Sequence, residues 1–338
     1  MFEDLKLPAQ KKNKTGYSTD ENILKKMALL HPAPKLILEH RAFFKILSTY
    51  IKPLLAHIHT DGKIHSTFSQ AGTSTGRFSC HNPNLQNLPT AKTDELNIRR
   101  AFIVKNNDFI FLSADYSQIE LRIIAHMSED EFMIKTFEDD KDIHTQTAVK
   151  LFNLKDEKNI TSEMRRLAKT INFGVLYGMS AHSLAEETGM FHNQAKKFIE
   201  NYFANFPKIK IFFDKLIYSA KKSGYVETIF GRRRYIPELN ASNKITQQAG
   251  IRMAMNMVVQ GTAADILKLA ILKINNFSKN YNAQLILTIH DELVFELPKN
   301  NVSEFTDKIK KTLETVVNLK VPLKTTIHLG NSLSEIKN

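Results

Sequence analysis

The sequence predicts an α+β protein with a helical block inserted into it, on three observations. The texture of the chain alternates along its length: helical, mixed, helical, mixed. Its 338 residues, 42% hydrophobic and 24% charged, suit about two ordinary globular domains and exclude disordered or collagen-like chains. A single cysteine, Cys80, allows neither an internal disulfide nor a cysteine-based zinc site, so stability must come from a packed core.

The elements follow in order. Residues 8–19, PAQKKNKTGYST, are polar and turn-rich and precede a helical pattern from about Asp20 to Leu55, which Pro32 and Pro34 interrupt. From Gly62 the chain changes to short β-type runs and polar loops: Lys63 to Phe68, the turn-rich Gln70 to Pro89, then Phe109 to Leu112 ahead of Asp115. Ile119, Ile123 and Met127 recur every fourth residue, which predicts a helix. Residues 141–222 read mostly as helices, among them Ser162 to Tyr177 and Asn193 to Phe203. After the loop GYVETIFGRRRYIP comes a long helical pattern from Thr246 to Phe277. Two apolar strands, 284–289 and 293–297, a helix near 302–317 and a last strand complete the chain. No internal repeat is visible.

Lys and Arg number 47 against 35 Asp and Glu, a net charge of +12 that speaks of partners rather than fold. Residues 1–60 carry 10 basic and 5 acidic side chains, and residues 161–240 carry 13 and 7. These two segments supply nearly all the excess. Flanking a central body, they would form two walls of a nucleic-acid channel; the alternative is a surface charge that merely solubilises. No stretch approaches the ~18 apolar residues of a membrane span. The start, MFEDLKLPAQKKNK, lacks the apolar core of a secretory signal, so a cytoplasmic location with no membrane partner is expected.

Two carboxylate positions stand out. IFLSADYSQIELR places Asp115 at the end of a strand-like run just before a helix, where a rigid scaffold can hold a catalytic group yet leave it exposed. In LILTIHDELVFEL, His290, Asp291 and Glu292 interrupt two apolar strands at a tight turn. A polar hairpin tip would look the same, because Asp favours turns for its backbone hydrogen bonds. Together, however, two carboxylates on adjacent strands can hold two Mg²⁺ ions roughly 3.5 to 4 Å apart, an arrangement that serves phosphoryl transfer.

A third feature is helical. In MRRLAKTINFGVLYG, Arg165, Lys169, Phe173 and Tyr177 recur every four residues, each step drifting by only about 40° around the axis. Their shared face is cationic at its start and aromatic at its end, which matches a nucleoside triphosphate: charge for phosphates, a ring for base and sugar. A solvated basic face grading into a core stripe fits the same spacing.

DYSQIELR (115–122), RRLAKTINFGVLYG (165–178) and HDE (290–292) occur in this order and resemble motifs A, B and C of family A DNA polymerases, as found in the polymerase domain of bacterial DNA polymerase I. The resemblance extends to TGRFSCHNPNLQNLP (75–89), DIHTQTA (142–148), GYVETIFGRRRYIP (224–237) and NMVVQGTAADI (256–266), covering nearly the whole chain. It implies a right-hand polymerase fold with an antiparallel palm sheet, helical fingers and a truncated helical thumb. Residues 1–60 would be the partial thumb, 61–140 the first part of the palm, 141–249 the fingers and 250–338 the second part of the palm. No upstream nuclease or proofreading domain corresponds to anything here, and the ending HLGNSLSEIKN lacks the family's usual tryptophan.

The resemblance also implies roles. Asp115 and Asp291 would bind two Mg²⁺ ions with the backbone carbonyl of Tyr116, and Glu292 would sit beside them in a lesser part. Arg165 and Lys169 would hold the triphosphate, with His144 and Gln118 helping; Lys169 would protonate the leaving pyrophosphate or stabilise its charge. Phe173 would lie against the sugar, Glu120 would close the space of a ribose 2′-hydroxyl, and Tyr177 would stack near the templating base. Arg77, Arg252, Asn256 and Gln260 would reach the minor groove, whose degenerate acceptors suit an enzyme that copies any sequence. On the residues alone, the last three also read as the polar face of an amphipathic helix, and Arg232 to Arg234 as a solvated turn. His290 would contact the primer terminus. The expected partners are primer-template DNA and deoxynucleoside triphosphates, and the expected state a monomer. The competing expectation is a fragment that binds DNA with little activity.

Overall fold

The computed structural model describes residues 2, 5–8, 12–13, 16–89 and 96–336, so part of the polar 8–19 stretch and the last two residues of the ending lie outside the described residues. The chain divides into two units, one of residues 1–67 with 80–99 and one of 68–79 with 100–338.

In the first unit a two-residue ladder, β1 (Lys12–Asn13) with β2 (Gly16–Tyr17), leads to α1 (Glu21–Met27), which buries Ile23, Leu24 and Met27 on one face. α2 (Pro32–Lys45) starts where the His31 Nδ1 accepts from the Ala33 N–H at 3.1 Å. The expected break therefore falls before Pro32, whereas Pro34 lies inside the first turn. First-turn N–H groups have no intrahelical partner, so a proline costs little there. A π-helical turn, Ile46–Ile51, continues into α3 (Lys52–Ala56).

The mixed stretch after Gly62 holds two three-residue strands, β3 (Thr67–Ser69) and β4 (Ser79–His81), in place of the expected run from Lys63. Its Gly, Ser, Thr and Asn residues favour turns that satisfy the backbone locally.

The second unit is built on a four-stranded sheet of order β10-β5-β9-β8, antiparallel at every pairing: β5 (Phe109–Tyr116), β8 (Gln284–Ile289), β9 (Glu292–Pro298) and β10 (Thr325–Gly330). β5 runs four residues past its expected end, so Asp115 belongs to the strand. Between β5 and β8 come α4 (Ile119–Ser128), α5 (Glu131–Glu138), α6 (Ile143–Leu151), α7 (Ser162–Leu176), α8 (Ala181–Thr188), α9 (His192–Asn205) and α10 (Pro207–Ser223). A short hairpin, β6 (Tyr225–Glu227) with β7 (Arg233–Tyr235), and the 35-residue α11 (Lys244–Ser278) follow, and α12 (Val302–Glu314) lies between β9 and β10. The helical block is thus inserted between strands of one sheet, as the sequence texture predicts.

Capping fixes where several of these helices begin. Asp130, Asp142, Thr161, Ser180 and Asn243 each accept a first-turn N–H, starting α5, α6, α7, α8 and α11. The core joins sheet and helices: Leu112, Ala114, Leu293 and Phe295 from the strands meet Ile123 of α4, Val259 and Ile266 of α11 and Phe305 and Ile309 of α12 in one buried cluster.

Candidate active site

Antiparallel register brings the carboxylates together. Asp115 of β5 stands directly opposite Glu292, the first residue of β9. Asp291 precedes it in the turn, and the Tyr116 N–H donates to the Asp291 carbonyl at 3.4 Å. Asp115 and Asp291 therefore share one end of the sheet, both half-buried. His290 makes the turn in the left-handed region, at φ 55°, and is exposed. Glu292 corrects the expectation of a three-residue tip: it is only 3% exposed, belongs to β9, and accepts from Ser113 Oγ at 2.5 Å. Cross-strand pairing captures it, because the apolar run of β9 begins one residue earlier than the hydropathy suggests.

The donor chemistry fits magnesium. Two carboxylates supply hard oxygen ligands, and Mg²⁺ is commonly held by one or two carboxylates with water and phosphate completing its shell. Among the described residues no cluster of three or more His, Cys, Asp or Glu side chains could hold a metal. The Tyr116 hydroxyl is committed to the Leu313 carbonyl at 2.9 Å, so Tyr116 offers the site only its backbone.

Beside the pair lies a network around Glu120, which is 5% exposed in the first turn of α4. Arg77 Nη2 donates to Glu120 Oε1 and the Tyr177 hydroxyl to Oε2, both at 2.6 Å. Arg77 also stands 3.6 Å from Asp291 Oδ1, and the Gln260 side chain lies near the Tyr177 hydroxyl. Burial pushes the Glu120 carboxyl above the usual carboxylate range, against the pull of Tyr177 and Arg77. Burial, reinforced by the Glu120 charge, likewise pushes the Tyr177 hydroxyl up. Gln118, left-handed at φ 55°, precedes α4 and is half-buried.

On α7, Arg165 and Lys169 are exposed and Phe173 is half-buried, so the cationic part of this face is open to solvent. Arg165 Nε donates to Asp142 Oδ2 at 2.8 Å, and the same carboxylate caps α6. His144 is 3% exposed; its Nδ1 lies 3.1 Å from Asn172 Nδ2, and its ring centre 5.6 Å from that of Phe173. Burial pushes its imidazole down to about 4 although the Asp142 charge pulls the other way. The ring is therefore neutral near pH 7, and the Asn172 amide, donating to Nδ1, leaves the proton on Nε2.

Arg252, Asn256 and Gln260 share a face of α11. Arg252 is exposed, its Cγ 2.9 Å from where a Cβ on Gly178 would sit. Asn256 Oδ1 is buried without a hydrogen-bond partner, and the Gln260 side chain lies near the Tyr177 hydroxyl. A merely solvated helix face shows neither feature. A small pocket bounded by Arg77, Tyr116, His290 and Asp291 is floored by Ala263 and Ala264 of the same helix.

Several participants escape the sequence reading. Ser113, Asp142 and Asn172 hold Glu292, Arg165 and His144, and each sits inside or beside a motif already singled out. Arg232 corrects the solvated-turn reading: its Nε and Nη2 stand 2.8 and 2.7 Å from Asp265 Oδ1, and Asp265 is 7% exposed.

Comparisons with known proteins bear on the family and the fold. The family model for DNA polymerase family A matches residues 1–335. The chain is 44% identical over 333 residues to a thermostable DNA polymerase I of Thermus thermophilus, covering 98% of this chain and 40% of that protein. It is 42% identical over 340 residues to DNA polymerase I of Geobacillus stearothermophilus, covering 100% and 39% respectively. A solved structure described as the POL domain of Pol1 from M. smegmatis, in complex with DNA primer-template and dNTP, superposes with a TM-score of 0.91 at 35% identity, over 99% of this chain and 60% of that one. The chain spans about two fifths of the length of the curated relatives it matches.

Proposed function

The chain belongs to DNA polymerase family A, and from that premise we propose that it extends a DNA primer along a template. In this reading residues 1–60 serve as thumb, 61–140 and 250–338 as palm and 141–249 as fingers. The primer 3′-hydroxyl oxygen attacks the α-phosphorus of a deoxynucleoside triphosphate; the bond to the β-phosphate oxygen breaks and pyrophosphate leaves. The observation that carries the reading is the placement of Asp115 and Asp291 at one end of the sheet beside the Arg77–Glu120–Tyr177 network.

Asp115, Asp291 and the main-chain carbonyl of Tyr116 would hold two Mg²⁺ ions. When bound, such ions favour ionisation of the attacking hydroxyl and neutralise charge on the leaving phosphates. Arg165, oriented by Asp142, and Lys169 meet the triphosphate, and Lys169 gives pyrophosphate a proton or a charge partner. His144 contributes a neutral Nε2–H donor, with Gln118 nearby in sequence to the gate at Glu120. Phe173 rests on the sugar; Glu120, held from two sides, closes the space of a 2′-hydroxyl; Tyr177 lies by the templating base. Arg77, Arg252, Asn256 and Gln260 face the minor groove, whose acceptors their guanidinium and amide N–H groups can meet. His290, exposed at the hairpin tip, meets the primer end. Glu292, tied to Ser113, supports the pair. The structural neighbour's complex with DNA primer-template and dNTP supports this set of partners.

Primer extension tests the proposal. Asp115→Ala and Asp291→Ala should each leave less than about 1% of extension while primer-template binding persists, because the metals serve chemistry more than grip. Extension above a few per cent in either variant would overturn the two-metal assignment. Binding without extension by the wild-type chain would favour a DNA-binding fragment instead.

A further inference from the structure

Arg232, at the base of the β6–β7 hairpin, lies outside the machinery described so far. Its guanidinium is paired with Asp265 of α11, whose other oxygen, Oδ2, accepts from Thr228 Oγ1 at 2.8 Å. Thr228 closes the hairpin onto the same residue: its N–H donates to the Arg232 carbonyl at 3.0 Å, and the Arg232 N–H donates to Thr228 Oγ1 at 3.2 Å. A planar group, an anion and a hydroxyl thus fix one another.

The Arg232 side chain also packs beside Gly76. A Cβ at this position would stand 2.7 Å from Arg232 Nε and 2.8 Å from Cζ, and Gly76 has φ +78°. Both the close approach and the left-handed backbone demand glycine. The next residue is Arg77, which reaches Glu120 and Asp291. α11 runs along the rest of this loop too: a Cβ on Gly261 would stand 3.3 Å from the Thr75 carbonyl, and Lys268 Nζ donates to the Gln70 carbonyl at 2.7 Å. Gly261, Asp265 and Lys268 follow i, i+4, i+7 on one helix stripe.

We propose that Arg232 is a positioning residue: clamped to Asp265, its guanidinium backs the Gly76 peptide and thereby holds Arg77 at the carboxylate end of the sheet. Arg232 touches no substrate group itself and acts through Arg77. Lysine at this position keeps a cation for Asp265 but has no flat face for the peptide. The consequence for extension rests on the polymerase reading; the effect on the loop does not.

Two measurements test it on the whole chain. In amide hydrogen exchange, Arg232→Ala should raise exchange across residues 73–78 by about tenfold or more while β5 and β9 stay protected. Arg232→Lys should restore thermal stability yet leave exchange in that loop raised, which covers the case in which the alanine variant folds poorly. Unchanged exchange in a folded variant overturns the proposal. In primer extension, Arg77→Ala should lower kcat/KM by roughly 10 to 100-fold and Arg232→Ala by about tenfold, and the double variant should be no worse than Arg77→Ala alone. Costs that simply multiply would show that Arg232 does not act through Arg77. Absence of extension by the wild-type chain would defeat the polymerase reading, and the exchange measurement would still decide the clamp.

Discussion

Replacing Tyr177 by phenylalanine removes one hydroxyl from the Glu120 network and leaves the ring in place. That hydroxyl donates to Glu120 Oε2 at 2.6 Å, and Glu120 is only 5% exposed. A hydrogen bond to a charged acceptor contributes about 1.5 to 3 kcal/mol, and water cannot easily replace a donor at so buried a carboxylate. Tyr177→Phe should therefore destabilise the protein by about 2 kcal/mol at pH 7.5, lowering Tm by roughly 4 °C. The cost should shrink on acidification. Burial already holds the folded Glu120 carboxyl above its ordinary value of 4.5, so the folded protein binds this proton first and gains stability as pH falls through that range. Without the tyrosine donor the folded pKa rises further and the gain begins at higher pH, which narrows the gap between variant and wild type. Urea unfolding at pH 7.5 and pH 5, with Glu120→Gln and the double variant completing the cycle, measures both effects. A difference under about 0.5 kcal/mol at pH 7.5, or a gap that widens at pH 5, would refute the reasoning.

Glu120→Ala should raise incorporation of ribonucleotides relative to deoxynucleotides, because it opens the space beside the sugar; single-nucleotide insertion with each substrate measures the ratio, and no change would place selection elsewhere. Phe173→Tyr should relax discrimination against dideoxynucleotides by roughly one to two orders of magnitude, since a tyrosine hydroxyl can replace the missing 3′-hydroxyl in a closed site where an unmet polar group costs about 1 to 3 kcal/mol. Equal chain-termination frequencies for both proteins would show that Phe173 does not face the sugar. His144, pushed from 6.5 down to about 4, should cost wild-type stability as pH falls between those values, because only the unfolded chain binds the proton there. At about 1.4 kcal/mol per unit this is roughly 3.5 kcal/mol at most, and His144→Gln should flatten that part of the stability profile. Parallel profiles would mean that the imidazole is not buried neutral.

Periodicity made the long elements legible. α4, α7, α9, α11 and the β8–β9 pair lie within a few residues of where apolar spacing places them. The misplacements are local and physical. Pro34 enters a helix because its position needs no N–H, and β5 runs on through Ser113 and Asp115 because β9 and β10 pair with it on both sides. Polar residues inside a strand are invisible to a hydropathy pattern when cross-strand hydrogen bonding, rather than apolar burial, retains them. Glu292 is the same case: its oxygen is satisfied by Ser113, so a buried carboxylate continues an apolar strand.

The candidate site divides along the same line. Residues that act from their own element, such as the Arg165–Lys169–Phe173–Tyr177 face, can be read from spacing, because 3.6 residues per turn fixes which side chains align. Residues that act through a distant partner cannot. Arg77 and Glu120 lie 43 positions apart, Tyr177 and Glu120 57, and Arg232 and Asp265 33. No local pattern pairs them. Each pair joins different elements, the 70–78 loop or the end of α7 to α4, and the β6–β7 turn to α11, so these contacts depend on tertiary packing. That dependence also gives the network its mechanical meaning: Arg77 in the 70–78 loop and Tyr177 after α7 both hydrogen-bond Glu120 on α4, with Gln260 of α11 beside the Tyr177 hydroxyl and Asp291 beside Arg77. A change at Glu120, Tyr177 or Arg77 therefore alters the immediate surroundings of Asp291.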